Sequence, residues 1–189
     1  RSRTEKVNIA VVGKYVRLVD SYKSLNEALE HGGIFNSVKV NRVFVAADEL
    51  VGKDDLAPYF ENIDGILIPG GFGERGTEGK ILAAGHARKN GIPFFGICLG
   101  MQLAVTEYAR SVCSLKTANS TEFDAGTSDP VIDFLPGQKN ITRKGGTMRL
   151  GAYRCTIEPG TNAMKAYGSS EISERHRHRY EFNPAYEKA

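Results

Sequence analysis

The sequence has no tryptophan, 3 cysteines, 4 histidines and 7 prolines in 189 residues. The cysteines (Cys98, Cys113, Cys155) are odd in number and form no C-x-x-C pair, which argues against a disulfide framework or a cysteine zinc site. That usage predicts a reducing compartment, the cytoplasm. No stretch approaches the roughly 20 apolar residues of a membrane span, and the opening RSRTEKVNIA has no signal-peptide core, so a soluble protein is expected. Net charge is small: 25 Lys and Arg against 22 Asp and Glu leave +3, too little for general affinity for nucleic acid. There is no G-K-[ST], hence no Walker phosphate loop, and neither repeats nor low-complexity tracts. What remains is a globular composition, 41% hydrophobic and 25% charged with 21 glycines. It fits one domain over residues 1–189 that buries about two thirds of its unfolded surface.

Apolar runs and turn signals alternate along the first 110 residues. VNIAVV (7–12) reads as a buried strand ending at Gly13, and SYKSLNEALEHGG (21–33) as a helix stopped by Gly32 and Gly33. VKVNRVFVAA is the next strand, DDLAPYFEN a helical turn, and DGILIPG a third strand. A helix over 77–90 ends at Asn90 and Gly91, followed by the strand IPFFGI and the helix LGMQLAVTEYAR. Strand and helix in alternation predict an α/β fold, a central mostly parallel sheet between helical layers. Residues 117–146, rich in Thr, Asn, Ser, Asp and Gly, read as a long surface excursion, and TMRLGAYRCTIE as a strand on an antiparallel extension.

Ligands on such sheets gather at the carboxyl ends of strands, where both glycine-rich corners fall. In G-I-C-L-G, Cys98 occupies a strand-to-helix junction with the mechanics of a nucleophile elbow. The helix starting at Leu99 would favour the thiolate with its free N–H groups, and the Leu99 amide would face an oxyanion. The bland alternative is a small buried hydrophobe, common for free cysteine. P-G-G-F-G-E-R-G spells G-x-G-x-x-G through Gly71, Gly73 and Gly76, yet it is not in the first strand-helix unit and carries Pro69, Glu74 and Arg75 where a pyrophosphate would sit. Its glycines instead suit backbone N–H groups approaching a carbonyl beside the thiol. RHRHRY (175–180), if extended, sets Arg175, Arg177 and Arg179 on one face and His176 and His178 on the other. Such an arginine row suits a carboxylate, and the two histidines lack a third ligand for a metal site. On these residues alone His178, backed by Glu181, is the candidate base for Cys98.

GICLGMQ with PGGFG upstream resembles the core of the class I glutamine amidotransferases. VVGKY, SYKSLNEAL, NSTEF, GGTMRLG and ERHRHRYEFN are similar to stretches that mark the glutaminase domains of the CTP synthase family. The resemblance implies a flavodoxin-like three-layer α/β/α fold and hydrolysis of L-glutamine to glutamate and ammonia through a thioester on Cys98. It also implies an oxyanion hole from the Gly71 and Leu99 amides. It places Gly70, Phe72, Gly100, Met101, Gln102, Glu122, Arg179 and Tyr180 around the substrate, with Glu122 on its α-ammonium and Arg179 on its α-carboxylate. No metal or cofactor is implied for this domain. ATP, Mg2+ and UTP belong to a synthetase domain of the same polypeptide that receives the ammonia, GTP is an allosteric activator, and the full-length family forms homotetramers. The family places its base in a downstream H-x-E, and this sequence contains none. The resemblance therefore displaces His178 as base in favour of a shaping role at the binding edge. It leads us to expect a domain without its H-x-E segment and its amino-terminal synthetase partner, in which turnover is slow. The alternatives are a glutamine-binding regulatory module and a different thiol hydrolase pairing Cys98 with His178.

Overall fold

The computed structural model describes residues 5–14, 16, 19–135, 137–138 and 147–189. The chain packs as two compact units, one comprising residues 1–133 and 182–189, the other residues 134–181.

The first unit begins with β1 (Glu5–Gly13), α1 (Lys23–Phe35), β2 (Val38–Ala46), β3 (Gly65–Ile68), α2 (Thr77–Asn90), β4 (Phe94–Gly96) and α3 (Leu99–Ser111). The four strands form one sheet in the order β2-β1-β3-β4, every pair parallel. Alternation along each strand explains why the runs are apolar throughout. Ala10, Val12, Ile66 and Ile68 pack in one cluster with Ala83, Ala84 and Ala87 of α2. Val11 and Leu67 point to the opposite face and are buried too, so both faces of the sheet are covered. The helix predicted over 77–90 forms with those limits, and Gly91 closes it at φ 65°.

The first helix differs from expectation: it runs through Gly32 and Gly33 to Phe35. Asn36 caps it instead, its side-chain amide donating to the Gly32 carbonyl at 2.8 Å. Gly33 serves close packing: a Cβ there would lie 2.9 Å from the Val38 carbonyl oxygen.

The expected surface excursion is also corrected. It contains β5 (Asn119–Ser120) and β6 (Pro130–Phe134), paired in parallel. Val131 and Ile132 are fully buried, and Asn183 ties β6 down through its backbone N–H to the Val131 carbonyl and its side-chain amide to the Pro130 carbonyl, each at 2.9 Å. The polar composition around these apolar residues masks a short strand that needs only three of them. Residues 136 and 139–146 of that stretch, Tyr15 of VVGKY, and Gly145 and Gly146 of GGTMRLG lie outside the described residues.

The second unit holds β7 (Arg149–Thr156), α4 (Asn162–Tyr167) and β8 (Glu171–Arg177). β7 and β8 pair antiparallel, as the sequence predicts for the 147–158 stretch, with Ala152 opposite Arg175 and Thr156 opposite Glu171. A final short strand, β9 (Tyr180–Phe182), follows. The helix α4 has no counterpart in the sequence reading, although its signals are present: the Thr161 hydroxyl accepts from the Met164 N–H, and Gly168 ends it at φ 67°.

Candidate active site

β4 delivers the chain to Cys98 and α3 carries it away, so the thiol sits at a carboxyl end of the sheet. The turn is forced: Cys98 adopts φ 52° and ψ −108°, a conformation that costs an L-residue of order 1–3 kcal/mol. Gly100 makes the turn possible, because a Cβ there would lie 2.1 Å from the Ile68 carbonyl oxygen of β3. Cys98 is exposed, whereas Leu99 behind it is buried and packs with Leu103 and Ile81. The bland reading of a sealed core cysteine is thereby excluded.

The glycine turn after β3 faces the thiol. A Cβ on Gly70 would stand 3.5 Å from the Cys98 Cβ, and one on Gly71 would meet Leu99 at 3.7 Å and the Lys80 ammonium at 3.9 Å. Beyond them Phe72 is 62% exposed, and its carbonyl accepts from Lys14. Gln102 is buried one turn into α3 and its carbonyl accepts from the Thr106 hydroxyl at 3.1 Å, while Met101 stays exposed. Glu122 reaches the turn from beyond β5, its carboxylate accepting from the Gly73 N–H at 3.2 Å. The structure thus sets Gly70 against Cys98 and Gly71 against Leu99, with Glu122 on the same glycine turn, whereas Phe72, Gly100, Met101 and Gln102 are placed with them by unit and by chain position.

The Leu99 N–H favours the thiolate as expected, but burial outweighs it. Partial burial pushes the Cys98 thiol pKa above its ordinary value, the Leu99 N–H opposes this without cancelling it, and the Glu122 charge adds to the rise. The helix start alone does not produce a resting thiolate.

Arg179, Tyr180, His178 and Glu181 belong to the second unit. β8 stops at Arg177, so the continuous extended row expected over RHRHRY is broken. Arg175 and Arg177 are exposed, whereas Arg179 is buried, donating to the Thr147 hydroxyl at 3.1 Å and accepting from the Leu135 N–H at 2.8 Å through its carbonyl. Tyr180 packs on Phe134 with ring centroids 4.6 Å apart. His176 stacks on Tyr153 at 5.0 Å, and burial followed by the charge of His176 lowers the pKa of His178.

Two groups escaped the sequence reading. Gly73 is one, as the N–H that engages Glu122. Lys80 is the other: it is only 2% exposed, and a Cβ on Gly71 would lie 3.9 Å from its ammonium. Burial, then the neighbouring Lys14, lowers its pKa to about 8, with Asp48 opposing. A lysine in phase with the buried Ala83, Ala84 and Ala87 of α2 was the available signal.

A sequence model of the family described as glutamine amidotransferase class-I matches residues 17–189. The chain belongs to the class I glutamine amidotransferase family. It is 58% identical over 187 residues to a CTP synthase of Syntrophus aciditrophicus, covering 99% of this chain and 35% of that protein. Against a CTP synthase of Geobacter sulfurreducens the identity is 59% over 181 residues, 96% of this chain and 34% of the relative. A solved glutaminase domain of Trypanosoma brucei CTPS with bound acivicin superposes with a TM-score of 0.86 at 41% identity, over 95% of this chain and 69% of that one. Within the class I amidotransferases, the chain is thus similar to CTP synthases over a part of their length and to the solved domain of one of them over nearly its own whole length. It spans about a third of the length of the curated relatives it matches. Among the described residues no helix is long and apolar enough to cross a membrane, and no group of three or more His, Cys, Asp or Glu side chains could hold a metal ion.

Proposed function

We propose that this chain hydrolyses L-glutamine and supplies the ammonia to a synthetase domain of the same polypeptide. The observation that supports it most is the exposed Cys98 on a strained elbow against a turn of consecutive glycines. The sulfur attacks the side-chain amide carbon and forms a C–S bond. The negative charge that develops on oxygen meets the amides of Gly71 and Leu99, with Gly70, Phe72, Gly100 and Met101 shaping the walls. The C–N bond then breaks, ammonia leaves, and water hydrolyses the glutamyl thioester to glutamate. Gln102 and Glu122 hold the substrate, Glu122 on its α-ammonium; the family resemblance assigns the α-carboxylate to Arg179, which Tyr180 follows in the chain. Because the Cys98 thiol rests above its ordinary pKa, acylation requires a proton acceptor, the role the family gives to an H-x-E histidine.

In the whole protein the ammonia aminates UTP to CTP at the expense of ATP with Mg2+, GTP activates, the assembly is a homotetramer and the compartment is the cytoplasm. Mixing the whole protein with glutamine and quenching in acid tests the chemistry of this domain. The expected result is one glutamyl group attached at Cys98. Glutamine bound with no adduct would replace this reading with that of a regulatory binding module.

A further inference from the structure

Glu122 is held more firmly than a surface carboxylate needs to be. Its backbone N–H donates to the hydroxyl of Ser120, which is 1% exposed, and the Ser120 carbonyl accepts from the N–H groups of Phe123 and Asp124, each at 3.0 Å. On one side Thr121 is anchored to Asp133 through its hydroxyl at 2.7 Å. On the other, Phe123 packs against the cluster of Ile81, Leu99 and Leu103. The carboxylate is therefore fixed to the helix that begins beside the thiol, and through the Gly73 N–H to the glycine turn opposite. Among the described residues no cation pairs with it. Two cations also lie on that turn without pairing with the carboxylate, Lys14 donating to the Phe72 carbonyl and Lys80 lying at Gly71, while Arg75 pairs with Asp48 at 2.9 Å.

An anion held on the glycine turn that faces the nucleophile, next to a Phe123 that packs on Leu99 and with no cation paired to it among the described residues, works against ionisation of the sulfur unless something neutralises it. We propose that Glu122 is a brake on Cys98 which the substrate itself releases. In the empty site its negative charge disfavours the thiolate. When an amino-acid α-ammonium settles on the carboxylate, the repulsion is removed and ionisation of the sulfur becomes easier only with the right ligand in place. Free thiols are thus protected from adventitious electrophiles that carry no cationic group. The Coulombic contribution of Glu122 to the raised thiol agrees with this placement. The release step rests on the glutaminase reading, whereas the brake itself does not.

The test compares alkylation of Cys98 by neutral iodoacetamide and by the cationic 2-bromoethylammonium, each rate divided by that for free cysteine and read by peptide mapping. With the native chain the cationic reagent is expected to be favoured by about threefold to tenfold, the size of one partly screened charge contact. In Glu122→Gln, which keeps an acceptor for Gly73 but no charge, that preference falls to about one and iodoacetamide alone reacts about threefold faster at neutral pH. Unchanged or slower iodoacetamide alkylation in Glu122→Gln, or an undiminished cationic preference, would overturn the proposal. Circular dichroism of the variant separates a lost charge from a lost fold, with Glu122→Ala as a second neutral variant required to behave alike. Failure of the glutamyl adduct to form from glutamine, with the alkylation pattern intact, would sink the glutaminase reading and leave the brake standing.

Discussion

At the scale of the residue, the protein holds its nucleophile in a conformation that an L-amino acid resists. With φ at 52° and ψ at −108°, Cys98 stores strain that glycine would not feel. Replacing Cys98 by Gly is expected to raise stability by about 1–2 kcal/mol over Cys98→Ala, with both variants chemically inert. Urea unfolding of the two variants measures it, and equal stabilities would show that the elbow is unstrained. Cys98 was legible in the sequence because its signal is local: glycines two residues before and after it, an apolar run before, a helix after. Its charge state was not legible, because it depends on burial and on Glu122, 24 positions away in the chain. Lys80 was hidden for a related reason, since a lysine in a helical stretch reads as solvated until the turn that covers it is placed.

At the scale of the element, the site depends on how closely α3 crosses β3. The Gly100 Cα has no room for a methyl group, as a Cβ 2.1 Å from the Ile68 carbonyl oxygen would force the first turn of the helix outward. Gly100→Ala is expected to cost about 1–3 kcal/mol in thermal or denaturant unfolding and to slow alkylation of Cys98, because the Leu99 amide moves with that turn. Full stability together with native alkylation would mean that α3 tolerates the shift. The long periodic elements β1, α2 and α3 were legible because period and end signals agree: Gly91 stops α2 in the sequence and in space. The end of α1 is not legible in the sequence because glycine is ambiguous there. Gly33 is present for its contact with Val38, and the cap falls to Asn36. The strand β6 is short, and short strands are settled by tertiary partners such as Asn183 rather than by pattern, whereas α4 has its signals in Thr161 and Gly168 but spans only six residues.

At the scale of the whole molecule, two compact units divide the candidate residues: Cys98, the glycine turn and Glu122 in one, Arg179 and Tyr180 in the other. Composition placed the chain among globular proteins, and alternating strands and helices gave its class. Only the pairing pattern established the order β2-β1-β3-β4, which puts the β3 and β4 turns side by side. Adjacent strand ends are what bring the Gly70 backbone against Cys98, and no spacing within either motif encodes that adjacency. The claim on which the account rests is that this junction is a glutamine-reactive thiol. A chloroketone analogue of glutamine, followed by intact mass and peptide mapping, tests it most directly. One equivalent of label is expected, all of it on Cys98 and suppressed by excess L-glutamine. Label on Cys113 or Cys155, or labelling of Cys98 that L-glutamine leaves unchanged, would contradict that claim.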